Sequence, residues 1–216
     1  MEKEKRKKLW TALLMLLLFV LWTVLISFVD VKPIGPCKSV VGFATLNGFF
    51  HNLFDTNMAL YTITDWLGLV PIIFCLGFAF LGLIQLIKQK KLKNVDYNLF
   101  VLGGFYIVTM AVYILFEYVV INYRPILINN YLEASYPSST TLLVLCIMPT
   151  AIMQLNNRIR NNAVKKLVDL LIKAFIVFMV ISRLISGVHW LTDIIGGIIL
   201  STAIVLLYRF FVSLKE

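Results

Sequence analysis

Ser182-Arg183-Leu184-Ile185-Ser186-Gly187-Val188-His189-Trp190-Leu191-Thr192-Asp193 joins the last two apolar runs of the chain, 167–188 and 190–213. It puts an arginine, a histidine and an aspartate at the mouth of an otherwise apolar helix. Ionisable groups are costly at a membrane boundary and are usually retained there for chemistry. His189 and Asp193 are four residues apart, so in a helix they share one face. The spacing predicts a direct hydrogen bond between the carboxylate and the nearer imidazole nitrogen, with the other nitrogen left free to attack. Arg183 offers a planar fork suited to phosphate oxygens.

The rest of the chain makes that boundary a membrane boundary. Of 216 residues, 60% are hydrophobic, and the mean hydropathy is +0.89. Such a composition excludes an ordinary soluble domain and points to a polytopic membrane protein. Six apolar runs, near 9–29, 61–87, 99–121, 139–156, 167–188 and 190–213, are long enough for a crossing that needs about 20 residues. The expected fold is therefore all-α, a bundle of six transmembrane helices. The first run is too long for a signal peptide, and no small-residue cleavage site follows Val29.

Lys and Arg number 20 against 11 Asp and Glu, but they cluster between apolar runs, so they report membrane orientation and not nucleic acid. Lys3, Lys5, Arg6, Lys7 and Lys8 precede the first run. Lys88, Lys90, Lys91 and Lys93 follow the second, Arg158, Arg160, Lys165 and Lys166 the fourth, and Arg209 and Lys215 end the chain. With six spans all four groups share one side, so both termini are expected in the cytoplasm. Arg124, Ser138, Arg183 and His189 then converge on the opposite, extracytoplasmic face. The expected organisation is a basic N-terminus at 1–8, a first span and outer loop at 9–60, a helical core at 61–213 and a short tail at 214–216. Within the outer loop, Phe43, Leu46, Phe50 and Leu53 recur at helical steps. They fit either an amphipathic helix on the membrane surface or an ordered loop packed on the bundle.

Cys37, Cys75 and Cys146 suggest neither a disulfide frame nor a metal site, and His51 and His189 are the two histidines. No metal and no cofactor is expected. Two further pieces accompany the His189 stretch. Tyr123-Arg124-Pro125 follows an apolar run. Tyr136-Pro137-Ser138-Ser139-Thr140-Thr141 opens the next one, and proline before small hydroxyl residues is a good helix start. The amides and positive dipole end of such a helix suit a phosphate.

Together these pieces resemble the type 2 phosphatidic acid phosphatase superfamily in its membrane branch, which carries Lys-x6-Arg-Pro, Pro-Ser-Gly-His and Ser-Arg-x5-His-x3-Asp. The third motif is complete as Ser182, Arg183, His189 and Asp193. The first keeps Arg124 and Pro125 but has Glu117 in place of lysine. The second keeps Pro137 and Ser138 but has Ser139 for glycine and Thr140 for histidine. The resemblance implies that His189 is a nucleophile forming a phosphohistidine and that Asp193 orients its ring. It implies that Arg124, Arg183 and the residues Ser138, Ser139 and Thr140 hold the phosphoryl oxygens. The family's second histidine protonates the leaving oxygen, and Thr140 leaves that role vacant. Glu117 is the first substitute to consider, ahead of Glu133 and His51.

The implied function is hydrolysis of a lipid phosphate, or better a lipid diphosphate such as undecaprenyl diphosphate, at the outer face of a plasma membrane. The partners implied are the phosphate-bearing membrane lipid and the bilayer. A non-catalytic phosphate- or lipid-binding protein of the same fold, and phosphoryl transfer to an acceptor other than water, are the alternatives. A transporter fits less well, because the polar groups gather at one face and form no path across the midplane.

Overall fold

The computed structural model describes residues 2–91 and 94–215; Lys93, counted above among the basic clusters, lies outside them, as do Met1 and Glu216. The helices are α1 (Glu2–Phe28), α2 (Ala44–Phe54), α3 (Met58–Leu67), α4 (Leu69–Gln89), α5 (Tyr97–Tyr118), α6 (Ser139–Asn156), α7 (Asn162–Ile185) and α8 (Leu191–Ser213). No β-strand occurs among the described residues, and the protein is an all-helical, multi-pass membrane protein.

The expected count of six spans needs correction. Five segments are long and apolar enough to cross a bilayer: α1, α3 with α4, α5, α6 and α8. The sixth, α7, has 24 residues, which at 1.5 Å per residue is enough length. It carries Lys165, Lys166, Asp169 and Lys173 in its first half and the buried Arg183 near its end, so it has no bilayer-length stretch as poor in charge as those of the other five. The second apolar run is also not one helix. It breaks at Gly68, where a Cβ would stand 2.9 Å from the Asp65 carbonyl oxygen. The break lets α3 lean on α7 while α4 continues beside α5 and α6.

Side-chain caps set several starts. Asn57, Asp96 and Asn161 each accept a first-turn N–H, at α3, α5 and α7 respectively. The outward faces are apolar, as with Leu14, Leu21, Leu76, Phe80 and Ile107, which suits lipid and not water. The interior gathers on α8, which packs against α1 and α6. Gly196 is required there, because a Cβ would come within 2.3 Å of the Tyr136 ring. Tyr136 in turn stacks on Phe19 of α1 and bonds Thr23 at 2.7 Å.

Helix ends can be paired across the bundle. Trp22, late in α1, donates to the Thr192 carbonyl at the start of α8. At the other end, Tyr97 donates to the Phe211 carbonyl and Gln154 to the Tyr208 hydroxyl. The start of α1, the end of α4, the α6–α7 turn and the end of α8 therefore share one end of the bundle. All the described basic clusters lie there. The start of α6, the end of α7 and the start of α8 share the opposite end.

The outer segment combines both expectations held for it. It is helical as α2, with Phe49 and Leu53 exposed, and it is anchored to the bundle by Asn47. Asn47 is fully buried, donates to Thr192 Oγ1 at 3.0 Å and accepts from the Thr192 N–H at 3.2 Å. It thus satisfies a first-turn donor of α8 that the helix itself leaves open.

Candidate active site

The turn between α7 and α8 is held in place by the segment after α2. Gly187 adopts φ +67, and a Cβ there would stand 2.0 Å from the Asp55 carbonyl oxygen. Only glycine meets both demands. Asn57 N–H donates to the Ser186 carbonyl at 3.0 Å. The chain then enters α8 with Trp190 at the N-cap, and Asp193 turns back to accept the Trp190 N–H at 2.9 Å. A carboxylate in the first turn is favoured by the helix dipole.

The connection from α5 to α6 brings in the rest. Tyr123 and Ala134 form an antiparallel bridge. Arg124 N–H donates to the Glu133 carbonyl at 3.1 Å and Ser135 N–H to the Asn122 carbonyl at 2.9 Å. This register sets Asn122, Arg124 and Ser135 side by side over the start of α8. The Trp190 indole closes the arrangement by donating to the Tyr123 carbonyl at 2.7 Å.

His189 is 3% exposed. Its Nε2 lies 3.5 Å from an Arg124 guanidinium nitrogen, and its Nδ1 lies 3.1 Å from the Ser135 hydroxyl. The direct His189–Asp193 hydrogen bond expected from the four-residue spacing is absent. The two groups stand 3.8 Å apart, and the Ser135 hydroxyl sits between them, donating to Asp193 Oδ2. The reason is the cap: the Trp190 N–H holds the carboxylate against the first turn of α8. Asn122 donates to its other oxygen at 3.3 Å. Burial first, then the charges of Arg124 and Arg183, hold the His189 imidazole well below the ordinary histidine range, so the ring is neutral near pH 7.

The two arginines are held differently. Arg183 donates to Thr140, to Thr64 at 3.3 Å and to Asp65 at 3.2 Å, while its Nε has no partner. Arg124 Nε lies 3.1 Å from Glu133 Oε2 as an ion pair, but the N–H does not align on it as a hydrogen bond. Both guanidinium groups stand over the Tyr61 ring, at 5.0 Å for Arg183 and 5.9 Å for Arg124.

A cavity of about 510 Å³ opens beside them. Arg124, Arg183, Ser139, Thr140, Glu117, Glu133 and Asp65 form its polar wall, and Leu69, Ile72, Leu143 and Val144 its apolar one. A second cavity of about 890 Å³, almost wholly apolar, lies between α4 and α5 among Phe78, Leu83, Leu99, Phe100 and Met110. The structure therefore brings together Arg124, Arg183, Ser139, Thr140 and Glu117. His189 adjoins this group through Arg124 but does not line the cavity itself. Ser138 is buried, and its amide donates to the Asp193 carbonyl at 3.1 Å, so that amide is engaged. No side chain caps α6, which leaves its first-turn donors at Ser139 and Thr140 facing the cavity side. His51 packs edge-on against Trp190 at 5.6 Å and supports the turn rather than the cavity. Among the described residues no group of three His, Cys, Asp or Glu is arranged to hold a metal.

Residues 113–215 match the family model of the PAP2 superfamily. A solved structure, the first transmembrane PAP2 type phosphatidylglycerolphosphate phosphatase from Bacillus subtilis, is 22% identical. The similarity covers 80% of this chain and 96% of that one at a TM-score of 0.44. No curated protein matches.

The matched segment holds the whole third motif and the departures at Glu117, Ser139 and Thr140. Four residues around it were not singled out from the sequence: Asn122, Ser135, Thr64 and Tyr61. Asp65 is the carboxylate partner of Arg183. Tyr61, Thr64 and Asp65 carry one available signal, a short polar insertion at the start of an apolar run. Ser135 and Asn122 carry none, since only the Tyr123–Ala134 bridge brings them to the site.

Proposed function

We propose that this protein hydrolyses a lipid diphosphate, with a polyprenyl diphosphate favoured, at the extracytoplasmic face of a plasma membrane through a phosphohistidine at His189. The observation that carries the reading is a buried imidazole whose Nε2 lies 3.5 Å from one of two guanidinium groups bordering a half-apolar cavity. Nε2 attacks phosphorus, the new N–P bond forms as the P–O bond to the leaving group breaks, and water then cleaves the N–P bond. An arriving phosphate draws Arg124 off Nε2 onto a phosphoryl oxygen and so exposes the lone pair. Arg183 and the donors at Ser139 and Thr140 hold the remaining oxygens, where charge develops.

Three features support the finer points. The cavity volume, about 510 Å³, suits a head group, and its wall of Leu69, Ile72, Leu143 and Val144 suits the start of a hydrocarbon chain. The described basic clusters share the end of the bundle away from the site, which under the positive-inside rule favours an extracytoplasmic site and cytoplasmic termini. Thr140, engaged by Arg183, is a poor proton donor, so leaving groups that depart unprotonated are favoured. Glu117, on the cavity wall, is the residue best located to donate a proton where one is needed. The competing reading is a phosphate-binding protein without turnover. The pairing of both arginines with carboxylates, Asp65 and Glu133, favours it. Phosphate release from a panel of lipid mono- and diphosphates by purified protein, beside His189→Ala, separates the two. Release that depends on His189 supports hydrolysis, and binding without release supports the alternative.

A further inference from the structure

We propose that Ser135 is the positioning residue that couples His189 to Asp193. Through it the ring is held with its proton on Nδ1 and its Nε2 lone pair toward Arg124, at the border of the phosphate cavity.

The argument runs from both sides of the ring. Asp193 acts as an acceptor toward three donors. Asp193 is fully buried, and its oxygens take the Trp190 N–H at 2.9 Å, the Asn122 amide at 3.3 Å and the Ser135 hydroxyl. The Ser135 proton is therefore committed to Asp193. The serine oxygen retains lone pairs, and the donor facing it is His189 Nδ1 at 3.1 Å. Nδ1 must carry hydrogen. On the far side, a guanidinium has five N–H donors and no acceptor. The Arg124 nitrogen 3.5 Å from Nε2 can face it only if Nε2 is the unprotonated nitrogen. Both contacts require the same tautomer, and no other assignment satisfies both.

Distance makes the serine necessary. At 3.8 Å the carboxylate is too far from Nδ1 for a hydrogen bond of its own. Without the hydroxyl, Asp193 would lose its hold on the ring and keep only a through-space attraction. The backbone fixes the serine independently of either partner, because the Ser135 N–H is bound to the Asn122 carbonyl at 2.9 Å. When Nε2 forms a bond to phosphorus the ring becomes cationic, and the same chain of contacts then passes the charge to Asp193. This catalytic consequence rests on the reading of His189 as phosphoryl acceptor; the tautomer does not.

The test uses the fact that the chain has two histidines. Full-length protein labelled with ¹⁵N-histidine, with His51→Gln as the assignment control, gives a single resolved imidazole for His189. Long-range ¹H–¹⁵N couplings distinguish the Nδ1–H from the Nε2–H form. The native protein is expected to show Nδ1–H; an Nε2–H ring in the native protein overturns the proposal without any variant. Ser135→Ala should mix the two forms and lower kcat by ~10–100-fold with KM little changed, as for loss of an orienting partner. Ser135→Thr, which keeps the hydroxyl, should restore both the tautomer and most of kcat. A Ser135→Ala protein with the native tautomer also overturns the proposal. Absence of phosphate release from native protein would sink the phosphatase reading while leaving the tautomer result standing.

Discussion

At one end of α6–α8, Gln154 donates to Tyr208, Arg158 reaches back to Gln154 at 2.8 Å, and Arg158 pairs with Asp96 at 3.3 Å. At the other end, Arg183, His189 and Asp193 gather around Ser135 and Thr140. The same three helices frame both clusters, but the clusters differ in burial. The Arg158 and Asp96 side chains are 29% and 40% exposed, whereas those of Arg183, His189 and Asp193 are 2%, 1% and 0% exposed. A half-exposed pair costs little to form and is worth about 0–1 kcal/mol. A buried guanidinium, imidazole and carboxylate carry desolvation penalties of several kcal/mol, which a stable fold alone does not require. The second difference is geometric. Arg158 lies away from the phosphate cavity, while Arg183 borders it and keeps a buried Nε without a partner. Polar residues at a helix end thus divide into those that finish the helix and those kept available for a ligand.

The comparison can be broken by removing one arginine from each end. Arg124→Ala and Arg183→Ala should each lower kcat/KM for a lipid diphosphate by ~10²–10³-fold, as loss of a positioned donor to a developing charge does. Arg158→Ala should leave kcat/KM unchanged and lower stability by no more than about 1 kcal/mol. Equal losses from the two ends would show that burial does not mark the site.

The next effect sharpens the chemistry at the buried end. With Thr140 where a proton donor is needed, a diphosphate lipid should turn over faster than the matching monophosphate by ~10²-fold, the low end of what a general acid contributes. Thr140→His should narrow that gap by raising the monophosphate rate. Equal native rates on the two substrates would remove the leaving-group argument. Glu117→Gln would then test the other donor on the cavity wall.

A smaller effect concerns pH. His189 is held well below the ordinary histidine value of about 6.5 by burial and by Arg124 and Arg183. The nucleophile is the neutral ring, and kcat/KM reports the free enzyme. Activity should therefore persist as pH falls through about 6.5 and decline only below it, when the ring finally takes a second proton. An acid limb at or above pH ~6.5 would mean the ring is solvated, as an ordinary surface histidine is.

How much of this was legible beforehand follows from the range of the interactions involved. The starts of α6 and α8 were readable, because Pro137 with its hydroxyl run and the His189 turn are local signals. The third motif was readable for the same reason, as four residue types at fixed spacing. The break between α3 and α4 was not, since Gly68 sits in a continuous apolar run and only the approach of α3 to α7 requires a bend. Ser135 was invisible. Its role comes from the bridge of Tyr123 to Ala134 and from a carboxylate drawn away from His189 by its own helix cap. Spacing along the chain predicted the pair of His189 and Asp193 but not the hydroxyl between them.

The central claim, that His189 accepts a phosphoryl group, is tested most directly by trapping. Purified protein is mixed with a lipid diphosphate labelled with ³²P in its terminal phosphate, quenched in alkali within the first turnover, and digested. The account predicts label retained on the peptide containing His189, stable to base and lost in acid, and absent in His189→Ala. Phosphate release that continues with no labelled peptide, or label that survives in His189→Ala, would contradict it.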